Sequence, residues 1–211
     1  MSISLSQILL QPRQTTSDWL IVQSKHLSDL GKLQSAHSLL IYGALEARNA
    51  IEQIYFEILK LVHDGEMTIE FYEKCRKSRS GYLEAIAKAE PKYRKIFMFS
   101  SAVLEVENAP FKGIIWNIKT LKNFWNALSD YCHTQGSVEQ TLNSQEWVET
   151  GYKLIDETYI YFEKNMKGGA TALLKPSKMT PEGREIWERF DRDEIDENGV
   201  KDELRKSGKS K

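Results

Sequence analysis

Apolar and small residues recur along the chain with a helical period and nowhere with an alternating one. From Ser35 to Val62 they fall at Leu40, Ala44, Ala47, Ile51, Ile54, Ile58 and Leu61. These steps of four and three line one helix face. The polar turn "HDGEMT" closes it. A second stretch starts near Thr68, carries Ile69, Tyr72 and Cys75, crosses the basic "RKSRSG" and continues as "YLEAIAKAE". It stops at Pro91, which disfavours helix at the preceding residue. "KYRKIFMFSSAVLEVEN" then resumes as helix and ends before "APFKG". Ile114, Ile118, Leu121, Trp125, Leu128 and Cys132 form a third period, a narrow seam suited to packing against another long helix. The fourth runs from Ser144, a residue type that caps helix N-termini, past Trp147 through Val148, Ile155, Phe162 and Met166 to the Gly168-Gly169 stop.

Four main helices with short turns predict an all-α protein, an up-and-down bundle of four to five main helices. The organisation reads as an N-terminal helical extension over 1–34, started by Ser17 or Asp18, and a bundle over 35–167. Residues 168–211 read as a short helix and a tail. In that last part "GREIWERF" docks by Ile186, Trp187 and Phe190, while "DRDEIDENGVKDELRKSGKSK" has almost no apolar residue and is expected to be mobile.

A chain of 211 residues, 41% hydrophobic and 28% charged, has the balance of a globular protein with one core. Its net charge of −1 supplies no overall positive field toward nucleic acid or anionic lipid. The two cysteines, Cys75 and Cys132, are far apart and outside any CxxC or CxxH pair, so neither a disulfide framework nor a zinc site is indicated. The N-terminus lacks a basic region and its apolar run is too short for a signal peptide, and no run reaches membrane-spanning length. A cytoplasmic protein without membrane contact is expected.

Beside the third helix's seam runs a polar row of Lys119, Lys122, Asn126, Ser129 and His133, spaced so that the side chains stack along one helix edge. Two cations, an amide, a hydroxyl and an imidazole in a row suit a phosphodiester and a proton transfer. The same row also suits a solvated edge, with the histidine favoured near a helix C-terminus by the dipole.

"LEARNAIE" in the first long helix and "ALSDYCH" closing the third, in this helix order, resemble the HEPN superfamily of helical RNA-acting domains over residues 35–167. The resemblance implies a four-to-five-helix bundle, a homodimer, and a metal-independent ribonuclease of a toxin or phage-defence system needing no cofactor. The family motif places four to six residues between an arginine and the histidine. Counting back from His133, that arginine would stand at Asn126, Ala127 or Leu128. None is arginine. If active, the chain would use His133 as general acid or base, Ser129, Asp130 and Asn126 as orienting groups, and Lys122 or Lys119 as phosphate cation. Arg48 is the other source of positive charge. It lies on the flanking row Ile41, Leu45, Arg48, Glu52, Tyr55, Leu59, where an i,i+4 pair with Glu52 is its ordinary structural role. The competing reading is a non-catalytic helical module for protein interaction or dimerisation. RNA, a second copy and a cognate protein are the implied partners.

Four weaker signals remain. "DRDEIDENG" resembles a calcium loop, but Arg205 would stand where a bidentate Glu is required. "KCRKSR" and "PKYRK", with Tyr82, Tyr93 and Phe97, read as solvated helix faces with core aromatics between, ahead of an RNA-facing surface. His26, His37 and His63 have no metal-ligand spacing. Trp116 falls off the third seam, which suits a dimer contact.

Overall fold

The computed structural model describes residues 13–63, 68, 70, 71, 73, 75, 79–110, 112, 113, 115–132, 144–167, 169, 170 and 175–208. Among these the protein is all-α, with helices α1 (Ser17–Gln34), α2 (His37–Val62), α3 (Arg79–Val106), α4 (Ile118–Cys132), α5 (Gln145–Met166), α6 (Pro181–Asp191) and α7 (Glu197–Gly208). Strands β1 (Lys112–Gly113) and β2 (Gly169–Ala170) form a two-residue parallel pair. Among the described residues no helix is long and apolar enough to cross a membrane.

Chain contacts define two compact units, Met1–Tyr55 with Asn117–Lys164, and Phe56–Trp116 with Asn165–Lys211. These divisions fall elsewhere than 34/35 and 167/168, because hydropathy marks where helices stop and contacts mark what they pack on. In the first unit α1, the first part of α2, α4 and α5 pack on one another. The expected apolar face of α2 is buried there at Leu40, Ala44, Ala47, Ile51 and Ile54. From α4 come Leu121, Trp125 and Leu128, and from α5 Val148, Ile155 and Phe162. Their approach is close. A Cβ on Gly151 of α5 would lie 2.5 Å from Tyr131 Cε1 and 2.9 Å from Leu40 Cδ1. A Cβ on Gly31 of α1 would lie 2.3 Å from the Tyr152 hydroxyl. Between α1 and α2, Ser24 Oγ donates to the Gly43 carbonyl at 2.7 Å.

The termini of these helices follow local chemistry. Ser35 at the end of α1 adopts φ 52°, and the Ala36 N–H reaches back to the Gly31 carbonyl, a left-handed exit that leaves a single residue before α2. Asn117 Oδ1 accepts from the Thr120 N–H at 3.0 Å, which starts α4 at Ile118. Ser144 Oγ caps α5 by accepting from the Trp147 N–H at 3.3 Å.

In the second unit α3 runs without a break through Pro91, where the sequence predicts a stop. Pro91 removes one helical hydrogen bond, but both it and Ala87, whose carbonyl loses its donor, are exposed to water. On the opposite side Ile86, Ala89, Tyr93, Ile96, Phe99 and Ala102 are buried. Burial of each large side chain contributes roughly 1.5–3 kcal/mol, and several together exceed the ~3 kcal/mol that an interior proline costs. Trp116 is 5% exposed, and its backbone N–H donates to the Tyr93 hydroxyl at 3.0 Å. It belongs to this core and is no dimer contact.

The C-terminal part is more ordered than its composition suggests. Thr180 Oγ1 accepts from the Gly183 N–H, with Pro181 opening α6. Ile186, Trp187 and Phe190 are buried as expected, Trp187 meeting Phe99 edge-on with ring centroids 5.3 Å apart. Where a mobile charged tail is expected, α7 packs on α3 and α6. Val200 is fully buried, and Arg189 Nη1 lies 2.7 Å from both Glu203 carboxylate oxygens. Lys201 sits 2.8 Å from Glu105 and 2.9 Å from Glu197. "DRDEIDENG" thus serves as a helix start, since Asp196 Oδ1 accepts from the Gly199 N–H at 2.8 Å. "PKYRK" is likewise structural: Arg94 pairs with Glu90, Lys95 with Asp193, and Tyr93 is core.

Two substitutions test this packing by urea unfolding. Alanine at Gly151 improves helix propensity by about 1 kcal/mol, yet its methyl overlaps Tyr131 and Leu40. We expect a net loss of about 1–2 kcal/mol, and a midpoint that stays or rises would contradict the close approach. Phe190→Ala should cost about 3–5 kcal/mol as a core truncation; a change within error would place α6 outside the core.

Candidate functional site

Four side chains meet where α2 faces the C-terminal half of α4. Arg48 and Glu52 are one turn apart on α2 and half-buried, on the row flanking the apolar face. Nε and Nη2 of Arg48 each lie 3.0 Å from Glu52 Oε1. The same oxygen accepts from Trp125 Nε1 at 2.9 Å. The guanidinium lies over the Trp125 ring, its carbon 4.9 Å from the centroid. It also acts on Cys132, the last residue of α4, through its charge and a side-chain hydrogen bond. A planar cation stacked on an indole, paired to a carboxylate and placed at the partly negative end of a helix is favoured by all three neighbours.

The field around this cluster is mixed. Burial pushes the Cys132 thiol up from its usual range, the charge and hydrogen bond of Arg48 pull it down, and Glu52 adds to the rise. Burial, then Tyr161 and Glu52, hold the Tyr55 phenol well above the ordinary tyrosine range. It stays protonated at any working pH. The Arg48 side chain is 20% exposed and that of Glu52 38%. Water and small solutes reach both.

The expected polar row turns from solvent into the interior as it runs down α4. Lys119 and Lys122 are exposed, Asn126 is half-buried and Ser129 is buried. The Ser129 hydroxyl donates to the Trp125 carbonyl at 2.6 Å, so it is spent on its own helix. Asp130 is exposed. His133 lies outside the described residues. Of the residues singled out from sequence, Arg48 is thus brought beside Cys132, the residue preceding His133, whereas Lys119, Lys122 and Asp130 lie on the solvent side of α4.

Trp125 and Glu52 acquire a role here that the sequence reading did not give them. A signal existed for each. A tryptophan in an apolar seam needs an acceptor for its N–H once buried, and Glu52, with Arg48, interrupts an otherwise apolar flanking row on α2. Their being each other's partner is a tertiary fact that neither helix states alone.

Alkylation checks the electrostatics. Because burial outweighs Arg48, the iodoacetamide rate of Cys132, followed by mass spectrometry of its peptide, should rise only above the ordinary thiol range near pH ~8.5. Arg48→Gln, which removes the group pulling the thiol down, should move the profile higher still. A wild-type profile centred below the ordinary range would contradict this field. Compared with models of known families, with curated proteins and with solved structures, the chain matches none.

Proposed function

We propose that this chain is a HEPN-like up-and-down helical bundle that acts on RNA without a metal, with Arg48 supplying the cation that the α4 motif lacks. One observation carries the reading. The Arg48 guanidinium acts on the thiol of Cys132, the residue that precedes His133 in the sequence. In the family pattern the arginine precedes the histidine by a few residues; here the two would come from distant parts of the sequence. Arg48 is better suited than Lys122, because a planar fork matches phosphate oxygens and the indole beneath it limits its motion.

The chemistry is intramolecular transesterification. The RNA 2′-oxygen bonds to phosphorus as the bond from phosphorus to the 5′-oxygen breaks. The 2′-hydroxyl proton leaves to a base and the 5′-oxygen gains one from an acid, with His133 filling one of these roles. Arg48 holds the phosphate oxygens, whose charge grows in the transition state. The products are a 2′,3′-cyclic phosphate and a 5′-hydroxyl. A toxin or phage-defence role and a homodimer belong to this proposal.

A second reading, a non-catalytic interaction module, draws support from the engagement of Arg48 with Glu52 and from Tyr42 and Leu45, which are 58% and 38% exposed one turn apart on α2. Incubation of labelled mixed-sequence RNA in EDTA separates the two. We expect cleavage with cyclic-phosphate ends, reduced about a hundredfold or more by His133→Ala and by Arg48→Gln. Intact RNA with wild-type protein would favour the interaction module. Cleavage unaffected by Arg48→Gln would return the cation role to Lys122.

A further inference from the structure

In the second compact unit, the chain leaving α3 doubles back on its own helix. The Ala109 N–H reaches the Leu104 carbonyl at 2.9 Å and the Asn108 N–H reaches the Glu105 carbonyl at 3.2 Å, with Asn108 at φ 51°. This is the left-handed helix end in which two returning N–H groups cover two of the last carbonyls. The reversal brings β1 against α3: a Cβ on Gly113 would stand 3.2 Å from Phe97 Cε2 and 3.6 Å from Ser101 Oγ. Helix and returning chain enclose a half-open cavity of about 570 Å³. Phe97, Ser101, Leu104 and Glu105 line it from one stripe of α3, and Asn108 and Ala109 line it from the turn. None of these residues belongs to the Arg48 cluster.

The cavity has the size of small-molecule sites, roughly 300–1,000 Å³, and their make-up, apolar walls with a few polar groups. Phe97, Leu104 and Ala109 supply the apolar part, and Ser101, Asn108 and Glu105 the polar part. The charges beside it decide which ligand fits. Lys201 lies 2.8 Å from Glu105 and 2.9 Å from Glu197, so one ammonium serves two carboxylates. Arg205, which also acts on Glu105, is paired with Asp202. Three carboxylates thus face two cations, and one negative charge is in excess. The hydrogen bond from Lys201 holds the Glu105 carboxyl below its ordinary range, so it is ionised at neutral pH. Its side chain is 60% exposed and open to a solute. The C-terminal end of α3 adds partial negative charge, and the face of an aromatic ring such as Phe97 attracts cations.

We propose that this cavity binds a small organic cation, an ammonium carried on an aromatic body. Glu105 and the end of α3 receive the ammonium, while Phe97, Leu104 and Ala109 receive the ring. An anion of the same size meets the excess negative charge, and a neutral molecule gains only the apolar contact.

The test uses the full chain at low ionic strength and three probes of nearly one shape: phenethylammonium, phenethyl alcohol and 3-phenylpropionate. Affinities are read by titration while amide NMR shifts locate the site. Phenethylammonium should bind about tenfold more tightly than the alcohol, the sum of an exposed ion pair and a cation–π contact, and the carboxylate more weakly than either. Shifts should concentrate between Phe97 and Gly113. Glu105→Gln keeps the shape and leaves Lys201 with Glu197; it should weaken the amine about fivefold and leave the alcohol unchanged. Glu107→Gln makes the same change of net charge at an exposed position past the end of α3, and its amine affinity should match wild type. Phe97→Leu keeps an apolar wall without a ring face and should weaken the amine about threefold. It serves as the second variant if Glu105→Gln lowers the melting temperature by loosening α7. The inference is overturned if phenethylammonium does not bind, if the three probes bind alike, or if the shifts fall elsewhere. It is equally overturned if Glu105→Gln and Phe97→Leu leave the amine affinity intact, or if Glu107→Gln lowers it as much as Glu105→Gln.

Discussion

The first unit depends on one steric fact, that α5 comes close enough to α2 and α4 for its backbone to touch their side chains. At Gly151 the space a methyl would fill is already taken by the Tyr131 ring and the Leu40 side chain. With nothing beyond the backbone on that face of α5, Tyr131 can lie flat enough to approach Trp147, ring centroids 4.6 Å apart, while Leu40 is completely buried. The cost of a glycine inside a helix, about 1 kcal/mol against alanine, is offset by the dispersion contacts that the short distance permits. Because α4 is held by the same contact, its seam reaches α2 at a fixed depth, and Trp125 arrives within hydrogen-bonding range of Glu52.

That depth decides what sort of electrostatics the Arg48 cluster has. Fully exposed, an Arg–Glu pair one turn apart would contribute a few tenths of a kcal/mol and be screened by salt. Fully buried, it would demand complete hydrogen bonding of both ions to repay their desolvation. Here the guanidinium is mostly covered and the carboxylate more open, with an indole N–H contributing to the same oxygen. Such an intermediate position suits a charge that must be oriented by the protein and still be felt by a solute. The half-buried thiol at the end of α4 adds a polar contact without adding charge, since its proton is held more firmly than in an ordinary cysteine.

Much of the helical architecture could be read from spacing alone, because a face of period three and four dominates α2, α4 and α5. Ser144 announced its cap, and Ile186, Trp187 and Phe190 announced their burial. The misreadings have local physical reasons. Pro91 suggested a break because sequence does not reveal which side of a helix faces water, and on the wet side a lost hydrogen bond is replaced by solvent. α7 escaped notice because its anchor is the single residue Val200 and the rest of its docking is charge pairing, which composition counts as solubility. At the site, the polar row of α4 was visible as a row but not as one that turns inward, so Ser129 looked available when its hydroxyl is committed to the Trp125 carbonyl. Arg48 and Glu52 were legible as a pair within one helix. Their meeting with Trp125 and Cys132 was not, since it requires knowing which face of α4 lies against them.

The short left-handed exit at Ser35 has a bearing on how this chain can vary. Between α1 and α2 the backbone direction is reset by one residue at φ 52°, so a residue added at that turn leaves the rotational phase of α2 to be set by its own packing. An added residue inside α2, between Gly43 and Arg48, would instead turn everything beyond it by about 100° relative to the face already packed. Arg48 and Glu52 would then swing away from Trp125 together, their mutual pair intact and their tertiary partners lost. Insertions in related chains are therefore expected to gather at the turn and to be excluded from that stretch of helix, a pattern that length variation alone would reveal.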